Sequence, residues 1–294
     1  GIEMNTGFIG FGEAAFNIAL GLLGEGVKGI RAYDAMENDP VMGKLVHKRA
    51  EEAQVEVVSS PHEIAQWANL IIAAVPSSYT VDVCKTIMGD LNEQKIYADV
   101  SASTPSAKIT IWNLIKDSGV KFVDAAMLGS LPKDKHKVPI TASGNGAKVF
   151  QELMTPYGMK ITLAGDKAGA ASAIKLVRSI YMKGIAALMI EMLEAANAYG
   201  VEDEVIASIS KSMDNIPFTS HLDRLVKGTA IHCKRRAAEL KGSIAMLEEC
   251  GRTAEMTTAA KEKMDNLVSY DFAALNVEQP IQGWKDVLDV LMKK

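Results

Sequence analysis

Thr6-Gly7-Phe8-Ile9-Gly10-Phe11-Gly12-Glu13-Ala14-Ala15-Phe16 runs from a short apolar segment into a glycine-rich turn. Gly10, Gly12 and Ala15 form a GxGxxA pattern at the point where a strand hands over to a helix. Each position answers a physical need. Gly10 permits a tight turn, Gly12 lets backbone approach a pyrophosphate, and a small residue at 15 lets helix and strand pack closely. The helix start then offers unpaired N–H groups and the positive end of its dipole to phosphate.

A glycine triplet alone also fits a plain tight turn, and context decides between the two. The next apolar run, Gly29 to Tyr33, ends in Asp34, 22 residues after Gly12. An acidic residue there accepts hydrogen bonds from the adenosine ribose hydroxyls and repels a ribose phosphate. The expected cofactor is therefore NAD in preference to NADP. Its binding surface is expected to comprise Gly10, Phe11, Gly12, Glu13, Ala14, Ala15 and Asp34, together with Val75, Pro76 and Ser101. For Asp34 the competing reading is a plain turn residue.

Outward from this turn, short apolar runs alternate with helical patterns. Thr6 to Ile9, Gly29 to Tyr33, Val55 to Val58, Leu70 to Val75, Ile96 to Val100 and Lys121 to Asp124 read as strands, with Lys137 to Ser143 and Lys160 to Leu163 at the far edge. Several are apolar throughout, as strands covered on both faces are. Ser60-Pro61-His62-Glu63 reads as a helix start, with Ser60 as cap and Glu63 closing a capping box. Alternation of this kind predicts a doubly wound, parallel α/β sheet of Rossmann type. From Ala170 to Tyr199 there is no Pro and one Gly, and Gly200 follows as a stop. The remainder also reads as helix. The expected division is a dinucleotide-binding domain over 4–164 and an all-helical substrate and dimerisation domain over 165–294.

Composition narrows the function classes. With 294 residues, 48% of them hydrophobic, the chain can bury the cores of two domains. A net charge of −4 argues against nucleic acid as partner. There is no uncharged apolar run of about 18 residues, so no membrane span is expected. No secretory signal pattern is legible. Cys84, Cys233 and Cys250 are odd in number and widely spaced, which suits reduced thiols in a cytoplasm. The five histidines form no HxH or HxxxH pair, and no metal site is expected.

Four motifs carry a resemblance. The first is the turn at Gly10, Gly12 and Ala15. The second, Asp99-Val100-Ser101-Ala102-Ser103-Thr104-Pro105, matches a D-x-S-T loop at Ser101, with Ala102 where threonine is usual. The third, Asp124-Ala125-Ala126-Met127-Leu128-Gly129-Ser130, matches D-A-P-V-S-G-G at Asp124, Ala125 and Gly129 but carries Leu128 in place of serine. The fourth has Gly165 and Gly169 ahead of Lys175-Leu176-Val177-Arg178-Ser179, a K-x-x-x-N motif with Ser179 for asparagine. On these the chain resembles the β-hydroxyacid dehydrogenase family, relatives of the N-terminal part of 6-phosphogluconate dehydrogenase. Within it the chain looks like a divergent branch with an Arg-Arg-bearing C-terminal helical domain. Its His232-Cys233-Lys234-Arg235-Arg236-Ala237-Ala238-Glu239 stretch replaces the family's usual K-D pair.

The resemblance implies an NAD(P)-dependent oxidoreductase that moves hydride between nicotinamide and a small hydroxy acid, or its keto or semialdehyde form. Lys175 is the implied general acid and base, since burial brings a lysine's proton affinity toward neutrality. Its neighbours Ala171, Ile174, Leu176 and Val177 are small or apolar, so the helix is expected to be mostly buried there. Ser101, Gly129, Ser130, Ser179 and Arg235 are the implied substrate contacts, with loop capping or a surface charge pair as the plainer readings. The implied partners are a small anionic substrate and a second copy of the chain. Two other classes stay open: an imine- or opine-type reductase of the same fold, and a non-catalytic NAD(H)-binding sensor.

Overall fold

A computed structural model of the chain describes residues 4–293. The strands are β1 (Thr6–Ile9), β2 (Arg31–Tyr33), β3 (Glu56–Val57), β4 (Leu70–Ala73), β5 (Ile96–Asp99), β6 (Lys121–Met127), β7 (Pro139–Ser143) and β8 (Lys160–Leu163). Between them lie α1 (Glu13–Gly24), α2 (Met42–Glu52), α3 (Pro61–Trp67), α4 (Thr80–Ile87), α5 (Pro105–Ile115), α6 (Leu131–Asp134) and α7 (Ala147–Met154). After β8 the described residues are helical or in loops: α8 (Ala170–Tyr199), α9 (Glu202–Met213), α10 (Phe218–Ile231), α11 (Cys233–Glu249), α12 (Glu255–Leu267), α13 (Phe272–Glu278) and α14 (Trp284–Met292).

The strands form one sheet in the order β3-β2-β1-β4-β5-β6-β7-β8. The order reverses between β1 and β4, both parallel to their neighbours. That switch opens a crevice beyond the strands' carboxyl ends, where open α/β sheets bind ligands. β7 alone runs against its neighbour β6. The reason is the connection: residues 128–138 hold only the short α6 and a single 3-10 turn, Lys135–Lys137, too little chain for a parallel crossover of about a dozen residues or more. With α7 between them, β7 and β8 are parallel again.

Successive residues of a strand point to opposite faces, and the two cores follow that alternation. Phe8, Ile72, Ala98 and Val123 face one way and pack with Ile18 and Leu22 of α1 and Phe150 of α7. Ile9, Ile71, Tyr97 and Phe122 face the other and pack with Ile64 of α3, Ile87 of α4 and Ile111 of α5. Strands covered on both faces explain the unbroken apolar runs in the sequence. Truncating a fully buried ring such as Phe8 to alanine costs about 3–5 kcal/mol.

Local signals place the helix ends. Ser60 Oγ accepts the His62 N–H, and Pro61 opens α3. Glu63 reaches back to the N–H of Ser59, one residue before the cap. Gly200, at φ +67°, ends α8, and the following N–H of Val201 returns to the Ala196 carbonyl.

By its contacts the chain divides into two compact units, Gly1–Ile180 and Tyr181–Lys294. The division falls inside α8, so the first part of that helix, Lys175 included, belongs with the sheet. The second unit has its own small core of Ala230, Phe272, Ile281 and Val287.

Candidate nucleotide and substrate site

Gly10 sits at φ +89°, and its N–H donates to the Tyr33 carbonyl across 2.7 Å. A Cβ there would fall 2.8 Å from Val75 Cγ1 and collide with the Ala74 carbonyl. Gly10 is thus demanded by the approach of the segment after β4, besides the turn itself. Gly12 differs: a Cβ would meet no protein atom within 4 Å. Packing does not require a glycine there, and the clear space lies at the cap of α1, where the first N–H groups lack intrahelical partners. Ala15 is fully buried, as the close helix–strand packing requires.

Asp34 closes the turn from the other side. Its Oδ2 accepts the Phe11 N–H at 2.7 Å and its Oδ1 the Met36 N–H at 2.8 Å. Asp34 orders its own turn, and each oxygen keeps a lone pair for a further donor. The geometry therefore fits a dinucleotide, with clear space at Gly12 before the first N–H groups of α1 and a carboxylate, Asp34, beside it. A nicotinamide cofactor, when bound, supplies hydride chemistry.

Ser101 is buried and its hydroxyl is occupied by the protein. It accepts the Val75 N–H at 2.9 Å and donates to the Ala73 carbonyl at 3.4 Å, while its own N–H donates to Asp99 Oδ1 at 2.8 Å. It fastens the loop after β5 to the Val75-Pro76 loop after β4. Gly129 and Ser130 lie exposed in the loop after β6, with Ser130 at the start of α6.

Lys175 and Ser179 lie half-buried on α8. At helical spacing they continue the stripe begun by the buried Ala171 and Ser172. The surroundings differ from the expectation of a mostly buried helix. Ile174, Leu176 and Val177 are 44%, 40% and 63% exposed, because they lie on the sides of α8 away from that stripe.

The start of α8 is held by a group the sequence motifs understated. Asp124 is fully buried, and its Oδ2 accepts the N–H groups of Gly169 at 3.0 Å and Ser172 at 3.1 Å. Its Oδ1 accepts the Ser172 hydroxyl at 2.7 Å. A carboxylate from β6 thus caps the helix that carries Lys175, where the helix dipole favours negative charge. Behind it stands a residue that sequence reasoning missed, Lys108. Its fully buried ammonium lies between Asp99 and Asp124. The legible signal was a lysine in the apolar stripe Lys108, Ile111, Ile115 of α5.

Arg235, in the second unit, is exposed and lines a hollow of about 540 Å³ with His232, Lys234 and Asp271. Arg236 turns back to α10, donating to Thr229 Oγ1 at 3.0 Å, which identifies it as a structural tie.

Three comparisons bear on this arrangement. Residues 5–165 match the family described as the NAD binding domain of 6-phosphogluconate dehydrogenase, and residues 196–267 a domain of unknown function, DUF1932. A solved conserved protein, MTH1747, described as being of unknown function and structurally similar to 3-hydroxyacid dehydrogenases, is 30% identical. It superposes with a TM-score of 0.62 over 90% of this chain and 96% of its own. The mitochondrial 3-hydroxyisobutyrate dehydrogenase of Drosophila melanogaster is 27% identical over 76% of this chain and 68% of its own length. An imine reductase from Myxococcus stipitatus, solved with NADP+, shares the fold at 13% identity, with a TM-score of 0.71 over 90% of this chain and 94% of its own. Among the described residues, no helix is long and apolar enough to cross a membrane.

Proposed function

Because the chain belongs to the family of the NAD-binding domain of 6-phosphogluconate dehydrogenase, we propose that it is an NAD-dependent dehydrogenase of a small hydroxy acid or its carbonyl partner, with Lys175 moving the proton. The observation that carries the reading is the Asp34 clamp on Phe11 beside the clear space at Gly12. Asp34 also underlies the preference for NAD, since a ribose phosphate would approach a carboxylate anchored by two N–H groups.

In the oxidation direction, the neutral Lys175 amine accepts the proton of the substrate hydroxyl as the carbon gives up its hydrogen with the electron pair. In reduction, the Lys175 ammonium returns that proton to the carbonyl oxygen. Ser179, one turn along the helix, is the candidate to orient the same oxygen. Gly129 and Ser130 are the candidates for the anionic end. Leu128, in place of a hydroxyl-bearing residue, argues for a substrate other than the family's usual one. For Ser101 the reading shifts from substrate contact toward loop fastening, because its hydroxyl already serves Val75 and Ala73. Arg235 enters as a candidate for a substrate carboxylate or phosphate, which an exposed guanidinium binds in a bidentate manner.

A second reading, reduction of a C=N bond, draws on the fold shared with the imine reductase, while Lys175 favours the alcohol reading. A homodimer is part of the proposal, supported by the exposed apolar residues Val177 and Ile180 of α8, at 63% and 76%.

The test is turnover followed at the NADH absorbance with 3-hydroxyisobutyrate, a panel of other small hydroxy acids and a panel of cyclic imines. Oxidation of a hydroxy acid that is lost in Lys175→Ala supports the reading. Full turnover in Lys175→Ala overturns the proton-transfer role. Activity confined to imines overturns the substrate class.

A further inference from the structure

A lysine ammonium with no exposure to water is costly unless paired and hydrogen-bonded. Lys108 meets both conditions. Its Nζ donates to the Asp99 carbonyl at 2.9 Å and to Asp99 Oδ1 at 3.1 Å, and stands 3.4 Å from Asp124 Oδ1. Each partner reaches a different half of the candidate site. Asp99 Oδ1 holds the Ser101 N–H, and Ser101 holds Val75 in the crevice loop after β4. Asp124 holds the first turn of α8 through Gly169 and Ser172, one turn ahead of Lys175.

We propose that Lys108 is a positioning residue: it locks the nucleotide-side loops to the start of α8, so that cofactor binding and the placement of Lys175 are coupled. The proposal rests on the reading of Lys175 as the proton-transfer group. Lys108 itself is fully buried and offers no surface to a ligand, so it acts through Asp99 and Asp124. Two segments far apart in sequence, the loop after β5 and the first turn of α8, share one cation: Asp99 and Asp124 are register partners on β5 and β6, and Lys108 ties their side chains together. Removing that cation leaves the β5–β6 ladder and each segment's own hydrogen bonds but removes the side-chain bridge between the two carboxylates. A shift of about 1 Å at a reacting group lowers turnover by up to about a hundredfold.

The test uses the full chain and amide hydrogen exchange with and without NADH. The variant is Lys108→Met with Asp99→Asn, which removes one buried charge of each sign and keeps an oxygen for the Ser101 N–H. In the wild type, NADH is expected to slow exchange at Phe11 and, through the link, at Gly169 and Ser172 by about tenfold. In the variant the Phe11 protection persists and the response at Gly169 and Ser172 disappears. A variant that keeps that response, a wild type that never shows it, or a variant whose exchange rises evenly through β1 and β4 overturns the proposal. Lys108→Leu with Asp99→Asn, which leaves Asp124 and its hold on α8 in place, gives the same readout should the first double variant not fold. Loss of the Lys175 reading would appear in turnover of Lys175→Ala and leave the exchange result intact, so the two failures are distinguishable.

Discussion

Asp34 Oδ2 lies 2.7 Å from the backbone nitrogen of Phe11, so the end of β2 is bonded directly to the turn that follows β1. A single carboxylate thereby shapes the loop and presents its remaining lone pairs beside it. Asp34→Ala is expected to weaken NADH binding by about tenfold, the effect of roughly one charge-assisted hydrogen bond. Titration of NADH fluorescence checks this, and unchanged affinity would remove Asp34 from the cofactor site. With Asp34→Ser the preference is expected to move toward NADPH, since the repelling charge is gone.

Gly10→Ala places a methyl group at φ +89° against the Ala74 carbonyl. The left-handed conformation alone costs an alanine about 1–2 kcal/mol. Both the melting temperature and NADH affinity are expected to fall. Gly12→Ala meets no protein atom, so it is expected to leave the melting temperature of the free protein nearly unchanged and to weaken NADH binding. Equal behaviour of the two variants would contradict the assignment of the space at Gly12 to a ligand.

Asp124→Ala strands the Lys108 ammonium and uncaps α8. Breaking a buried charge pair in this way costs about 3–5 kcal/mol. For a chain of this size that lowers Tm by roughly 6–20 °C, readable by thermal unfolding. A shift of no more than a degree would show that the carboxylate does not hold the helix.

The Cys84 thiol is pushed up to about 12, chiefly by burial and further by the nearby Asp99 charge. The thiolate is the reactive form, so at pH 8 Cys84 is expected to resist iodoacetamide in the native protein. Half-buried Cys250 is expected to react first. Raising the pH toward 12 increases Cys84 reactivity, and peptide mass spectrometry of the alkylated protein distinguishes the sites.

Val177 and Ile180 give the dimer a direct test. Sedimentation at micromolar protein is expected to report a dimer, and Val177→Glu with Ile180→Glu a monomer, because an interface core does not tolerate unpaired charge. A monomeric wild type would discard the assembly.

The alternation of apolar runs and helical stripes, the GxGxxA turn, Asp34 and the proline-free span from Ala170 to Tyr199 were all written in local order. Local order is enough to specify strand, helix and the parallel sheet, because period and capping are short-range physics. It is also enough to align Lys175 and Ser179 on one face of a helix. The direction of β7 depends on how little chain joins it to β6, and the sheet had to be assembled to show it. The roles of Asp99, Lys108 and Asp124 were beyond local reading, because Asp124 meets Ser172 and Lys108 meets both carboxylates only when β5, β6, α5 and α8 have packed. A motif can mark Asp124 and Ser101 as notable, but only the tertiary structure decides that the first caps a helix and the second fastens two loops. Those bonds join atoms distant along the chain, and no spacing rule encodes them.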